Sequence, residues 1–223
     1  MGRVLVVLGL ALVALLSLAP AIGAEGERAS GTLIDGTGKT IGAVQLEQRG
    51  GGVTVNVTVQ GADVVKPGEH GIHLHAVGKC DGPDFTTAGG HFNPTGKKHG
   101  ARNPEGPHAG DLPNLVAGTQ GATYQAMATG VTLAAGPTSL FDADGTALVI
   151  HANPDDQVTD PAGNSGGRVA CAVLALTAPG MPNTGAGGAA TQAVAWSGVI
   201  LLGALSLAMA ALVATTRVAR RRA

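Results

Sequence analysis

Six of the seven histidines fall in one constellation: His73-x-His75, then His91, His99 and His108 with Asp111, and finally His151. Imidazole nitrogens and carboxylate oxygens are transition-metal ligands, and this set is large enough for two ions of different character. His99, His108 and Asp111 offer two nitrogens and one oxygen, and His91 can add a third nitrogen. Three N and one O suit a tetrahedral zinc with no open position, which is a structural site. His73, His75 and His151, again with His91, form an all-imidazole set. Four nitrogens in a near-planar array suit Cu(II), a redox-active ion. His91 is claimed twice, and it can serve both ions only as an imidazolate with one ring nitrogen on each.

The elements that must hold these side chains have a period of two. Val53, Val55 and Val57 alternate with Thr54, Asn56 and Thr58, which places the valines on one face of a strand. Similar short runs occur at 29–35, 41–48, 70–75, 114–117, 122–129, 147–151 and 169–176. Gly36-Thr37-Gly38, Gly50-Gly51-Gly52, Pro67-Gly68 and Asp144-Gly145 punctuate them. The expectation is an all-β domain of eight short strands, an antiparallel barrel or sandwich. His73 and His75 then project from one face of their strand. Two stretches, 78–113 and 153–167, do not read as strands; long loops in a compact domain are usually functional, and the first carries four of the candidate ligands.

The ends suggest an address. Arg3 followed by an apolar run and Ala21-Ile22-Gly23-Ala24 reads as a signal peptide, residues 1–24. Residues 193–214 hold no charge and, at about 33 Å as a helix, suffice to cross a bilayer. Arg217, Arg220, Arg221 and Arg222 in the tail, residues 215–223, place that end in the cytoplasm. Between domain and span lies a linker, residues 179–192, containing Met181-Pro182-Asn183-Thr184-Gly185. This arrangement resembles the sorting signal of sortase substrates, with Met181 in place of the usual Leu; cleavage would fall between Thr184 and Gly185 and join Thr184 to the cell wall, and without it the span remains as a membrane anchor. The functional domain is then residues 25–178, with nine Lys/Arg against fifteen Asp/Glu, a net charge of −6. An acidic exported domain with few aromatics argues against nucleic acid as a partner. Cys80 and Cys171, sent to an oxidising compartment, read as a disulfide, with a metal–thiolate role as the weaker alternative.

Four motifs occur together: Gly71-Ile72-His73-Leu74-His75, Gly89-Gly90-His91-Phe92-Asn93-Pro94, His108-Ala109-Gly110-Asp111-Leu112 and Gly163-Asn164-Ser165-Gly166-Gly167-Arg168-Val169-Ala170-Cys171. In ligand type, order and spacing they resemble copper–zinc superoxide dismutase in its exported bacterial form, over roughly residues 28–177. The resemblance implies an eight-stranded antiparallel Greek-key barrel with two long functional loops. It implies copper on His73, His75, His91 and His151, and zinc on His91, His99, His108 and Asp111. It makes Arg168 the group that holds the superoxide anion beside copper. Asp155 would be the carboxylate joining His73 to His99, and Cys80–Cys171 the family disulfide. The implied reaction is disproportionation of superoxide to dioxygen and hydrogen peroxide, with His91 releasing copper and carrying a proton in the family's usual account.

The alternative is a non-catalytic copper-binding surface module of the same fold; relatives of that kind often lack a copper ligand or the arginine. His70 reads as a hydrogen-bonded structural histidine and Asp156 as a solvated loop charge. One departure concerns charge: 152–167 contains no Lys or Arg where the family often places steering lysines, leaving Lys97, Lys98 and Arg102 as candidates to attract the anion. Oligomeric state is not legible.

Overall fold

The computed structural model describes residues 26–177. The expected signal peptide 1–24, linker 179–192 with its motif at 181–185, span 193–214 and tail 215–223 lie outside the described residues. Alternation of the kind seen in Val53–Val59 organises the sheet: those valines are all 4% exposed or less, while Thr58 between them is exposed. The strands are β1 (Arg28–Asp35), β2 (Thr40–Arg49), β3 (Gly52–Gln60), β4 (Gly68–His70), β5 (Ile72–His75), β6 (Leu115–Ala117), β7 (Gly121–Thr129), β8 (Ala147–His151), β9 (Arg168–Val173) and β10 (Ala175–Thr177). The large sheet runs β5-β8-β9-β1-β2-β3-β7, with β10 beside β1, and β4 pairs with β6 separately. Every strand pairing is antiparallel. The β3-to-β5 and β7-to-β8 connections cross from one end of the sheet to the other, as in a Greek key. Among the described residues the one helical element is a 3₁₀ turn at Thr86–Ala88.

The all-β expectation therefore holds, with two corrections to the strand list. The run 70–75 is not one strand. At Gly71 the chain leaves the small sheet, its N–H bonding Asn153 O at 2.8 Å, and enters the large one. The run 169–176 breaks at Leu174, whose N–H turns to Thr146 O at 3.0 Å while its side chain enters the core.

β8 is buried along its whole length, on both faces, and this decides where the site can form. Leu148 and Ile150 face the barrel core with Ile72, Leu74, Ala170 and Ala172. Ala147 and Val149 face the other way, into a second apolar cluster with Phe85, Ala88 and Cys171. The 76–113 loop thus folds over the outside of the sheet. The Cys80–Cys171 disulfide clamps it there, with Cα atoms 5.7 Å apart across a sequence separation of 91. By parity His73 and His75 of β5 and His151 of β8 share this outer face.

Arg168 reaches the same face by a different device. Ile150 pairs with Ala170 but His151 pairs with Arg168, so Val169 is one extra residue in β9. Val169 packs against the core beside Ala170. This bulge reverses the parity of β9 and turns Arg168 outward, as bulges next to sites commonly do.

Candidate metal centre

Loop residues enter the site by adding themselves to the open edge of β5. Leu74 N–H bonds Gly110 O at 2.9 Å, and Leu74 O accepts from Phe92 N–H at 2.8 Å. Those two backbone bonds put His91 opposite His75 and Asp111 opposite His73. Phe92 and Leu112, the apolar neighbours of the two loop ligands, are buried in the core and peg each segment down. Buried apolar residues thus set the register, and the polar residues beside them fall into the site.

His73, His75, His91 and His151 converge so that one ligand atom from each lies within 4.8 Å of the others. One nitrogen of each ring is hydrogen-bonded: His73 Nε2–H to Asp155 Oδ2 at 2.7 Å, His75 Nδ1–H to Gly89 O at 2.9 Å, His151 Nδ1–H to Gly166 O at 3.1 Å, and His91 Nδ1 against Asp111 Oδ1 at 2.9 Å. The other nitrogen of each, His73 Nδ1 and the Nε2 atoms of His75, His91 and His151, is buried without a partner. A buried polar atom left unpaired is costly, and four facing one another are explained by a metal ion among them. Burial, opposed by the Asp155 bond, lowers His73 to about 3. Burial and then His91 lower His75 to about 2, and burial against the Gly166 carbonyl lowers His151 to about 4. His91 is lowered by burial, with Asp111 opposing. The rings are neutral at pH 7, each with a lone pair available, which metal ligation requires.

The second set surrounds Asp111 Oδ1. Nδ1 atoms of His91, His99 and His108 lie 2.9, 3.0 and 3.2 Å from it, and His108 Nδ1 is 3.4 Å from His91 Nδ1. Zinc bonds of roughly 2.0–2.1 Å at tetrahedral angles imply ligand separations of about 3.3 Å, so the cluster is close to the size a zinc ion needs. By proximity alone His73 also groups with His91, His99 and Asp111. Its Nε2 is held by Asp155 and its Nδ1 faces the first set, so His108 is the better fourth member. Asp111 Oδ2 accepts from Gly100 N–H and His108 N–H at 2.9 and 3.0 Å. Burial alone would raise Asp111, but bonds from His91 and His99 outweigh it and hold the carboxyl well below its usual range. Likewise burial opposes charge on His99, yet Asp111 and Asp155, one on each ring nitrogen, raise it to about 9. Without metal, His99 is an imidazolium. These residues fit copper and zinc, respectively, with His91 presenting one nitrogen to each set.

Asp155 lies between the sets, Oδ2 on His73 and Oδ1 on His99 Nε2 at 3.0 Å. Gly163 makes room for it: φ is +60°, and a Cβ there would collide with the Asp155 carboxylate and the His99 ring. Arg168, paired with His151 and partly exposed, directs Nη1–H to Phe85 O and Nη2–H to Gly89 O, both at 2.6 Å. Desolvation pulls the guanidinium below its ordinary value, against Asp84.

The other sequence-picked residues find distinct places. His70 sits between His151 O at 2.8 Å and Lys66 O at 2.7 Å, outside both sets. Asp156 is not simply solvated, because its carboxylate accepts from Val158 N–H, Thr159 N–H, Thr159 Oγ1–H and Asn164 Nδ2–H and builds a turn. Lys98 pairs with Asp160 at 3.6 Å, and Arg102 donates to Asp156 O. The sequence did not mark Phe85 and Gly89, whose carbonyl oxygens accept from Arg168 and aim it. Nor did it mark Asn114, whose side chain bonds both Asp155 O and Asp155 N–H at 2.9 Å, or Gln157. Only Gly89 lay in a recognised motif; nothing local marks the others.

Fold and site together define an antiparallel β-barrel with two adjoining metal-ligand sets that share one histidine. The copper/zinc superoxide dismutase (SODC) family model matches residues 40–174, and the chain belongs to that family. It is 46% identical over 144 residues to copper–zinc superoxide dismutase 1 of Aquifex aeolicus, covering 64% of this chain and 84% of that one. To a copper–zinc superoxide dismutase of Caulobacter vibrioides it is 42% identical over 143 residues, 62% and 80% of the two chains. The crystal structure of a SOD-like protein from Bacillus subtilis superposes with a TM-score of 0.62 at 36% identity, covering 66% of this chain and 97% of that one.

Proposed function

We propose that this chain disproportionates superoxide: two superoxide anions and two protons give dioxygen and hydrogen peroxide. The carrying observation is the four buried, unpartnered ring nitrogens that converge beside Arg168. Copper held there supplies one-electron oxidation and reduction in turn. The rest of the work belongs to side chains. A guanidinium has five N–H donors, and two of those on Arg168 are committed to carbonyls. The remainder are available to bind and orient the anion by charge and hydrogen bonding. His91 can hold a proton at Nε2, its one nitrogen without a partner, while the zinc set keeps Nδ1 engaged and the ring in place. His73, His75 and His151 are buried, which limits the access of water to them.

The test is metal content and superoxide decay on the purified protein. Two metals per chain and rapid decay are expected, with activity abolished in His151→Ala while zinc and fold persist. Retained activity in that variant would refute the copper set. Tight copper binding without accelerated decay would instead support the non-catalytic surface module.

The reading extends to location: an exported enzyme held at the cell surface through the C-terminal span, or through Thr184 after sortase cleavage. The signal-like start, the uncharged stretch 193–214 and the arginine-rich end support it, and so does a disulfide, which belongs to oxidising compartments. Mass spectrometry of the mature C-terminus separates the two forms of attachment. A cytoplasmic pool with residues 1–24 intact would count against both.

A further inference from the structure

Asp155 touches both ligand sets, so the groups that fix its carboxylate fix the relation between them. We infer that Gln157 is a positioning residue that couples the zinc set to the copper set through Asp155. This rests on the two-metal reading above. Gln157 has a left-handed backbone, φ 59°, uncommon for a residue with a side chain. That conformation brings its main-chain N–H to Asp155 Oδ1 at 2.6 Å and its Nε2 to Asp155 Oδ2 at 2.8 Å. Each carboxylate oxygen therefore takes one bond from Gln157 and one from a ligand ring, His99 on Oδ1 and His73 on Oδ2. With four donors placed this way, the carboxylate cannot rotate toward one histidine without losing bonds to Gln157.

Gln157 is itself tied to the segment that carries the zinc set. Nε2 also reaches Leu112 O at 3.2 Å, next to Asp111, and Arg102 N–H bonds Gln157 O at 3.0 Å. Ala101 N–H approaches Oε1 at 3.5 Å. The contact requires Gly100, where φ is +98° and a Cβ would collide with the Gln157 carbonyl. Ordering of 99–112 around zinc is thus transmitted through Gln157 and Asp155 to His73, on the copper side. An amide suits this place because it supplies donors without charge; a carboxylate would meet Asp155 and the Leu112 carbonyl as a third acceptor.

Two variants test the inference on the purified copper- and zinc-loaded protein. Gln157→Leu removes the amide at similar size. Gln157→Gly removes the side chain but keeps the N–H donor and suits the left-handed backbone, so it remains informative if the leucine variant folds poorly. The measurements are zinc affinity by chelator competition and the Cu(II) EPR spectrum with and without zinc. Expected is about a tenfold weaker hold on zinc, within the usual range for groups supporting ligands. The EPR spectrum of the zinc-loaded variant should also move toward that of the zinc-free wild type. A lower melting temperature with wild-type zinc affinity and EPR would mean a purely structural role and overturn the inference. A wild-type chain that binds only one metal would overturn the two-metal reading itself. Two metals in wild type with unchanged variants would remove only the role given to Gln157.

Discussion

His75 and Arg168 meet on a single atom: the carbonyl oxygen of Gly89 accepts from His75 Nδ1 at 2.9 Å and from Arg168 Nη2 at 2.6 Å. One backbone group therefore selects the tautomer of a copper-set imidazole and aims the guanidinium beside it. Gly89 belongs to the loop that Cys80–Cys171 clamps to β9, three residues beyond Arg168. Ligand, anion-binding group and disulfide form one mechanical unit.

Removing the disulfide should therefore cost more than stability. Closing a loop of 91 residues contributes about 4–5 kcal/mol in the chain-entropy model. We expect Cys80→Ser with Cys171→Ser to lower the urea midpoint accordingly. Activity per bound copper should also drop, because the Phe85 and Gly89 carbonyls lose their anchorage. Full specific activity per copper in the double variant would show that the loop holds Arg168 unaided.

Arg168→Lys keeps the charge but not the fork that grips two carbonyls and still offers donors to an anion. The rate constant for superoxide decay, followed by pulse radiolysis, is expected to fall about tenfold, with copper and zinc content unchanged. A rate equal to wild type would reduce Arg168 to a point charge.

Without metal, stability should peak near pH 6.5. His73, His75 and His151 sit at about 3, 2 and 4 when folded, against 6.5 unfolded. Between those values the unfolded chain binds more protons, so stability falls as pH drops below 6.5. His99, raised from 6.5 to about 9, acts oppositely: its contribution is complete below pH 6.5 and disappears as pH rises through 9. Zinc held by His99 would take the place of a ring proton, so zinc-loaded protein should lack the alkaline decline, and zinc uptake at pH 8 should release about one proton. Urea midpoints across pH, and calorimetry in two buffers, check both. A flat alkaline arm in the metal-free protein would contradict the imidazolium at His99.

Salt should slow the reaction only modestly. Lys98 is paired with Asp160, Arg102 keeps its charge but is tied to the acidic 153–167 loop, and Lys97 is exposed on a domain that is acidic overall. Neutralising Lys98 and Arg102 should leave the ionic-strength slope nearly unchanged and lower thermal stability. A steep slope that these substitutions abolish would restore them as steering residues.

Period-two patterning made much of the scaffold legible, because one face of β3 is valine and buried while the other is polar. The same rule put His73 and His75 on one face. It failed at Gly71, where a single residue carries the chain between sheets, and at Val169, where an inserted residue reverses the parity of β9. Neither event changes composition locally, so neither leaves a mark in a window of sequence. Phe85, Asn114 and Gln157 escaped notice for a related reason: Phe85 acts through its backbone carbonyl, Asn114 grips the backbone of Asp155, and Gln157 depends on a backbone shape.

By itself the sequence determined the ligand types, their order and the two cysteines, since those are properties of residues and spacing. Which nitrogen of each imidazole is left free was decided only by the tertiary structure. A ring's tautomer follows from the partner of its other nitrogen, and those partners arrive from far along the chain. Asp155 reaches His73 across 82 residues and Asp111 reaches His91 across 20. The same folding that buries Leu74, Phe92 and Leu112 brings them into place.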